Sequence, residues 1–176
     1  MDARTIEGEK LILKEMKVSD VDENYHKWMN DPEITKYLES RFQKNTIEKI
    51  KEYVSGFEKR NNDFLFMIIE KESGKHIGNI RLGPINKHHK FAEVGIMIGD
   101  KSSHGKGHGT EAIGILWKYA FEELGLHKLT AGCYSNNTAS EKTFLKAGFQ
   151  LEGKRKKHYK SGGGYVDCLL FGLINE

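Results

Sequence analysis

No apolar stretch in this sequence is long enough to cross a bilayer. The longest run, Phe64 to Ile69, has six residues, against about 20 for a spanning helix. A basic-then-apolar leader is missing too, because Asp2, Arg4, Glu7, Glu9 and Lys10 break up the start. The expectation is a cytoplasmic protein with no membrane partner. Cysteine is scarce. Cys133 and Cys168 lack metal-ligand spacing and fall in apolar, strand-like segments, so they read as reduced core thiols and no metal is expected. Neither sign of charge dominates: 28 basic and 25 acidic side chains leave a net +3. That gives weak attraction to polyanions and does not point to nucleic acid. Linkers, repeats and low-complexity tracts are absent as well.

The chain has 176 residues, 38% of them hydrophobic, and a mean hydropathy of −0.61. These values suit one domain, 1–176, with a substantial core. Leu11 to Met16 reads as a first strand. Ser19, with Asp22 three residues on, reads as the start of a helix carrying Val21, Tyr25 and Trp28. Asp31-Pro32 marks a break. Ile47, Ile50, Val54 and Phe57 recur at helical spacing after Asn45 or Thr46. Phe64 to Glu70 and His76 to Leu82 read as strands joined at Ser73-Gly74, and Phe91 to Gly99 as a third. Ile113, Leu116, Ala120 and Leu124 form the inward stripe of a helix ended by Gly125. Lys128 to Tyr134 is a strand, a short helix follows, and two last strands flank the turn at Ser161–Gly164. This order predicts an α/β (α+β) fold with a mixed, twisted sheet and helices on both faces.

Between the third of those strands and the long helix lies the hexad His104-Gly105-Lys106-Gly107-His108-Gly109, followed by Thr110. Strand, glycine loop, helix is an arrangement that aims unpaired backbone N–H groups at a phosphate, with the helix dipole favouring the anion. A nucleotide-triphosphate P-loop would need Gly-Lys-Ser/Thr, but Lys106 precedes Gly107; a dinucleotide fingerprint would need glycine at 110. A second motif, Asn137-Thr138-Ala139-Ser140 through Gly148-Phe149, is a short helix with Asn137 suited to the N-cap and Gly148 to the stop.

Together the two motifs resemble the GNAT N-acetyltransferases over roughly residues 9 to 175, with closest likeness to the Rim-type ribosomal-protein and amino-sugar branch. The resemblance implies a splayed central strand pair and acetyl-CoA as co-substrate. It also implies acetyl transfer to a primary amine, an amino sugar or a protein N-terminus, by direct attack on the thioester. It leaves room for a homodimer. Backbone at Ile96, Met97 and Ile98 would meet the thioester, and backbone at Gly105, Lys106, Gly107, His108, Gly109 and Thr110 the pyrophosphate. Asn137 would lie near the pantetheine arm.

Two positions depart from the family pattern. His104 replaces an arginine or glutamine, though a histidine can still donate to phosphate. Phe144 stands beside the pantetheine arm where many members carry the tyrosine that protonates the departing thiolate, a task Phe144 cannot perform. Ser140 is the resemblance-based replacement, or else a first-turn helix hydroxyl.

Glu93 is the carboxylate of the strand before the loop. Desolvation by Phe91, Ala92, Val94 and Ile96 would fit it to take the amine's proton; the alternative is a solvent-side glutamate. His158 and Tyr159 are reserves, and Gly132 occupies the position of a relative's glutamate. Trp28, Asn30, Asn79 and Arg81 are acceptor-side candidates, near Tyr25, Asp31 and Glu33. Arg81 and the run Lys154-Arg155-Lys156-Lys157-His158 suit an anionic acceptor or a solvated strand end. Two other classes stay open at this level: a non-catalytic acyl-CoA-binding module, and a basic nucleic-acid-associated protein.

Overall fold

The structure, a computed structural model, describes residues 3–176. Its strands are β1 (Thr5–Glu7), β2 (Leu11–Glu15), β3 (Phe64–Glu70), β4 (His76–Leu82), β5 (Phe91–Ile98), β6 (Lys128–Tyr134), β7 (Gln150–Ser161) and β8 (Gly164–Ile174). They form one sheet in the order β1-β2-β3-β4-β5-β6-β8-β7. The helices are α1 (Glu23–Asn30), α2 (Pro32–Thr35), α3 (Ile47–Glu58), α4 (His108–Glu122) and α5 (Thr138–Lys146). All neighbouring strands run antiparallel except β5 and β6, which α4 connects in parallel. The expected fold class stands: mixed α/β, with an open, mixed sheet.

Pleat alternation sorts β3 onto two cores. Phe66 and Ile68 join Leu13, Ile80, Val94, Ile113 and Leu116 under α4 and α5. Leu65 and Met67 join Met16, Tyr25, Ile50, Val54 and Phe57 under α1 and α3. A strand buried on both faces has no polar positions to spare, which is why Phe64 to Ile69 reads as an unbroken apolar run.

Several local expectations change. The sequence reading missed β1, a three-residue strand that pairs Ile6 with Leu13 across the turn at Gly8; so short a segment shows no period. Ser19 caps nothing: Val18–Asp20 is a 3₁₀ turn, and the Asp22 carboxylate instead accepts from the Tyr25 N–H to start α1. Asp31 ends α1 and caps α2, whose first turn contains Pro32, where its missing N–H costs nothing. Thr46, not Asn45, caps α3. Gly125 and Gly148 adopt left-handed φ of +60° and +98° after α4 and α5, as their places past the helix ends require.

β5 and β6 pair over just three residues each, Phe91–Glu93 against Lys128–Thr130. Both strands continue, to Ile98 and Tyr134, without further mutual pairing. The central pair is therefore splayed, and α4 enters from the loop at its open end.

Candidate functional site

The glycine loop opens the site. Asp100 Oδ1 accepts from the Ser102 N–H and hydroxyl, forming the turn that delivers the chain to Gly105. Gly105 and Gly107 take φ of +73° and +82°, and a Cβ at either would point into open space. Glycine is thus required by backbone conformation, and the space beside it is available to a ligand. The first α4 bond runs from Glu111 N–H to Gly107 O. Among the described residues, the backbone N–H groups from Gly105 to Thr110 find no acceptor in the chain. Those donors and the helix dipole suit a pyrophosphate. Gly109 packs closely on α5, with Thr143 Cγ2 3.2 Å from where a Cβ would be.

For the two histidines of the hexad, the expectation is a ring contact to phosphate from His104 and a backbone contact from His108. His104 Nε2 lies 2.9 Å from Ile98 O and ties the loop to the strand end. The His108 side chain is buried, with Nε2 3.6 Å from Glu70 Oε1. At His108 the ring is turned inward and the backbone alone is left for a ligand. Lys106 stays exposed.

In the splay, backbone polarity can be assigned by alternation. The Gly83 N–H donates to Glu93 O, so Glu93, Gly95 and Met97 turn their polar backbone toward β4. Val94, Ile96 and Ile98 turn theirs into the gap. Ile96 and Ile98 are therefore placed to meet a carbonyl there. Met97 is not: its backbone faces β4, and its side chain enters the cavity described below.

At the far side of the gap the Asn137 side chain accepts from the Ser140 N–H at 3.2 Å, making the expected N-cap. Ser140 lies beside the Cys133 thiol, which burial pushes up to about 11 although Ser140 draws it down. Phe144 corrects the sequence reading. It is 2% exposed and packs on Phe149 and Phe171, with centroids at 5.3 and 5.7 Å. Its ring is core and offers no surface to a pantetheine arm. Cys168 is also buried, with Sγ 3.7 Å from the Tyr159 hydroxyl.

Glu93 sits at the last paired position before the strands part, opposite Thr130. The expected desolvation does not occur, because the pleat carries Ala92 and Val94 into the core and Glu93 to solvent. Its candidacy rests on position alone.

On the α1/α3 face of the sheet, beside the splay, lies a cavity of about 700 Å³. Its walls include Tyr25, Met29, Ile50, Tyr53, Leu65 and Met97, with Asn79 and Arg81 on the floor. Burial raises the phenols of Tyr25 and Tyr53 above their ordinary range, so both stay protonated. Asn79 is 5% exposed and its Oδ1 has no partner, while its Nδ2 faces Met16 Sδ at 3.2 Å. Arg81 forks onto the buried Asp63 carboxylate, which also takes Arg60 at 3.0 Å. That carboxylate holds Arg81 firmly protonated and spends its charge.

Trp28 and Asn30 do not line this cavity. Trp28 covers Gly99 and stands 4.9 Å from the His76 ring. Asn30 Nδ2 donates to His26 O and Asn45 O, fastening the end of α1. Asp31 is ion-paired with Lys101 at 2.7 Å, which holds its carboxyl below the usual range, and Glu33 is exposed. The run Lys154–His158 lies exposed on β7, the outermost strand, with Lys154 3.6 Å from Asp167. Cations along an open edge hinder strand-to-strand association.

One cluster at the cavity mouth joins the reserve candidate Tyr159 to two residues that the sequence reading missed, Glu39 and Tyr134. Glu39, in the 3₁₀ turn Glu39–Phe42, accepts from the Tyr134 hydroxyl at 3.1 Å. Tyr159 stacks on Tyr134 at 3.9 Å, and its own phenol is raised chiefly by burial. Gly132, two residues earlier on the same face, has Cys168 Sγ 3.5 Å from where its Cβ would be.

Among the described residues no group of three or more His, Cys, Asp or Glu could hold a metal, and no helix is long and apolar enough to cross a membrane.

Comparison with known proteins gives a consistent picture. The family described as "Acetyltransferase (GNAT) domain" matches residues 10–150. The probable N-acetyltransferase YjcK of Bacillus subtilis (strain 168) is 33% identical over 129 residues, 73% of this chain and 70% of that protein. The solved structure of RimL, a ribosomal L7/L12 alpha-N-protein acetyltransferase, in complex with coenzyme A superposes with a TM-score of 0.86 at 20% identity, over 97% of this chain and 98% of that one. Spermidine N-acetyltransferase from Vibrio cholerae, solved with CoA and spermine, gives 0.83 at 23% identity, over 94% and 95%. At these identities the two structures speak to the fold.

Proposed function

Because the chain belongs to the GNAT acetyltransferase family and is an acetyltransferase, we propose that it transfers the acetyl group of acetyl-CoA to a primary amine held in the cavity beside the β5–β6 splay. One observation carries the reading. Ile96, whose N–H faces the β5–β6 gap, also lines the cavity, and its strand leads directly to the glycine loop with its unpaired N–H groups. Acetyl-CoA supplies the reactive thioester.

The chain's own groups have separable tasks. Backbone from Gly105 to Thr110 holds the pyrophosphate, with open space at Gly105 and Gly107 admitting close approach. Ile96 and Ile98 N–H groups polarise the carbonyl, where fixed donors cost no reorganisation. Ser140, with Asn137 fixing its turn, donates to the departing thiolate. Asn79 Oδ1, buried and unpartnered, accepts from the acceptor's N–H, which relieves a desolvation cost of about 1–3 kcal/mol. β5 runs from the cavity wall at Ile96 to the glycine loop, which supports direct attack.

Both an amino sugar and a protein N-terminus fit this scheme. Arg81 is spent on Asp63 and the β7 cations face outward, so among the described residues Lys49 is the one lining cation left to meet negative charge on an acceptor. That weighs against a nucleotide-linked sugar. The test is release of CoA thiol from acetyl-CoA across a panel of peptides, amino sugars and polyamines. Turnover with at least one amine is expected, and thiol release with none overturns the reading.

A further inference from the structure

Direct attack needs a neutral amine, and an acceptor with a pKa of about 9 is mostly ammonium at pH 7. Glu39 is the one carboxylate among the residues lining the cavity. It does not stand alone there. Its Oε1 accepts from the hydroxyl of Tyr134, the last residue of β6.

That tyrosine is held on three sides. Tyr159 stacks on it with planes 8° apart, Tyr37 lies with centroids 5.4 Å away, and the Arg41 guanidinium carbon sits 5.2 Å from the ring centroid. The segment carrying Glu39 is itself pinned across the mouth of the cavity. The Tyr37 hydroxyl donates to Asn136 O at 3.0 Å, and Arg41 Nη2 donates to Lys160 O at 2.7 Å. A hydroxyl so fixed, with a carboxylate as its acceptor, is preorganised to pass a proton on.

We propose that Glu39, acting through Tyr134, takes the proton that the acceptor ammonium must lose. The inference rests on the acetyltransferase reading above. The ammonium N–H bond breaks and its proton passes to the Tyr134 oxygen, while the Tyr134 proton moves to Glu39. This leaves a neutral amine, an intact tyrosine and a protonated carboxyl. The nitrogen lone pair then forms the N–C bond as the C–S bond breaks. The thiolate takes its proton from Ser140, Ser140 regains one from the acylated nitrogen, and Glu39 returns its own to water.

The charges around the pair are compatible with this order. Arg41 faces it from its own turn, Tyr37 and Tyr159 from the flanking segments, and Cys168 lies behind Tyr159. Inside the cavity stand Lys49, Tyr25, Tyr53 and the neutralised Arg81. Burial and the neighbouring Glu39 carboxylate raise the Tyr134 phenol, so it keeps its proton until Glu39 can receive it.

Glu39→Gln keeps the shape and an acceptor for Tyr134 but removes basicity; Tyr134→Phe cuts the relay. Each variant should lower kcat/KM at pH 7 on the order of 10²-fold, with most of the loss recovered near the pKa of the amine. KM for the amine should move far less than kcat, and calorimetric affinity for acetyl-CoA should be unchanged. A wild-type pH profile in either variant overturns the relay, and so does weakened acetyl-CoA binding. A profile flattened by Glu93→Gln, with Glu39→Gln unaffected, returns the role to Glu93. Wild-type protein that releases thiol with no amine overturns the parent reading and the relay together.

Discussion

Arg81 and Asp63 form a forked ion pair, Nε to Oδ1 and Nη2 to Oδ2 both at 2.8 Å, in which the carboxylate is 2% exposed and the guanidinium 37%. The pair fixes the cavity floor to the loop just before β3 and removes Arg81 as a receptor for anions. Arg81→Gln should cost about 1–2 kcal/mol in urea unfolding, a modest loss because Arg81 is partly solvated and Arg60 still serves Asp63. Asp63→Asn leaves two cations without a partner and should cost more. Neither change should alter preference between neutral and anionic acceptors. A sharp loss of activity confined to anionic amines in Arg81→Gln would show that its charge is available after all.

Gly107→Val tests the loop. A β-branched residue at φ +82° is strained by about 1–2 kcal/mol, and its side chain would fill the space beside the unpaired N–H groups. CoA affinity should fall at least about tenfold, a 1.4 kcal/mol effect, while the far-UV spectrum stays native. Undiminished affinity in a folded variant would place the phosphates elsewhere.

Ser140→Ala and Phe144→Leu should separate chemistry from packing. Loss of a proton donor at Ser140 should lower kcat by roughly 10²-fold or more with little change in melting temperature. Phe144→Leu vacates part of the aromatic cluster with Phe149 and Phe171. It should destabilise by about 1–2 kcal/mol, less than a full Phe→Ala truncation, while keeping most of kcat. Stability and rate falling together in both variants would mean that α5 acts as one packed unit.

The features legible in the sequence are those set by local backbone chemistry. Gly105 and Gly107 announce left-handed turns, Asn137 announces a cap, and the stripe of Ile113, Leu116 and Ala120 announces a buried helix face. Side-chain fates depended on distant partners. His104 turns to Ile98, His108 to Glu70, and Arg81 to an aspartate 18 residues earlier. Trp28 is claimed by Gly99, whose missing Cβ makes room for an indole from another element. The Glu39–Tyr134 contact spans 95 residues, and no periodicity or motif marks either partner. The desolvation expected at Glu93 is missing for a simpler reason: neighbours adjacent in sequence along a strand lie on the opposite face.

Acid stability should report on His76. Its ring sits between Trp28 and Tyr25, with centroids at 4.9 and 6.2 Å, and neither ring nitrogen has a hydrogen-bond partner. Burial lowers its pKa in the folded protein, and Asp22, the Gly78 backbone, the Asn79 side chain and Asp20 oppose this without cancelling it. The unfolded chain therefore binds more protons than the folded one between the depressed value and the free value of about 6.5. Where the unfolded state binds more protons, unfolding free energy rises with pH. The His76 contribution is thus fully present above about pH 7 and is lost progressively as pH falls through 6.5. His76→Phe preserves the aromatic contacts and removes the titration. Its unfolding free energy, measured in urea from pH 7.5 down to 5, should fall less steeply with acid than that of the wild type, and the two curves should converge at high pH apart from a constant packing offset. Parallel curves across that whole range would show that the His76 ring takes up a proton in place as easily as in the unfolded chain.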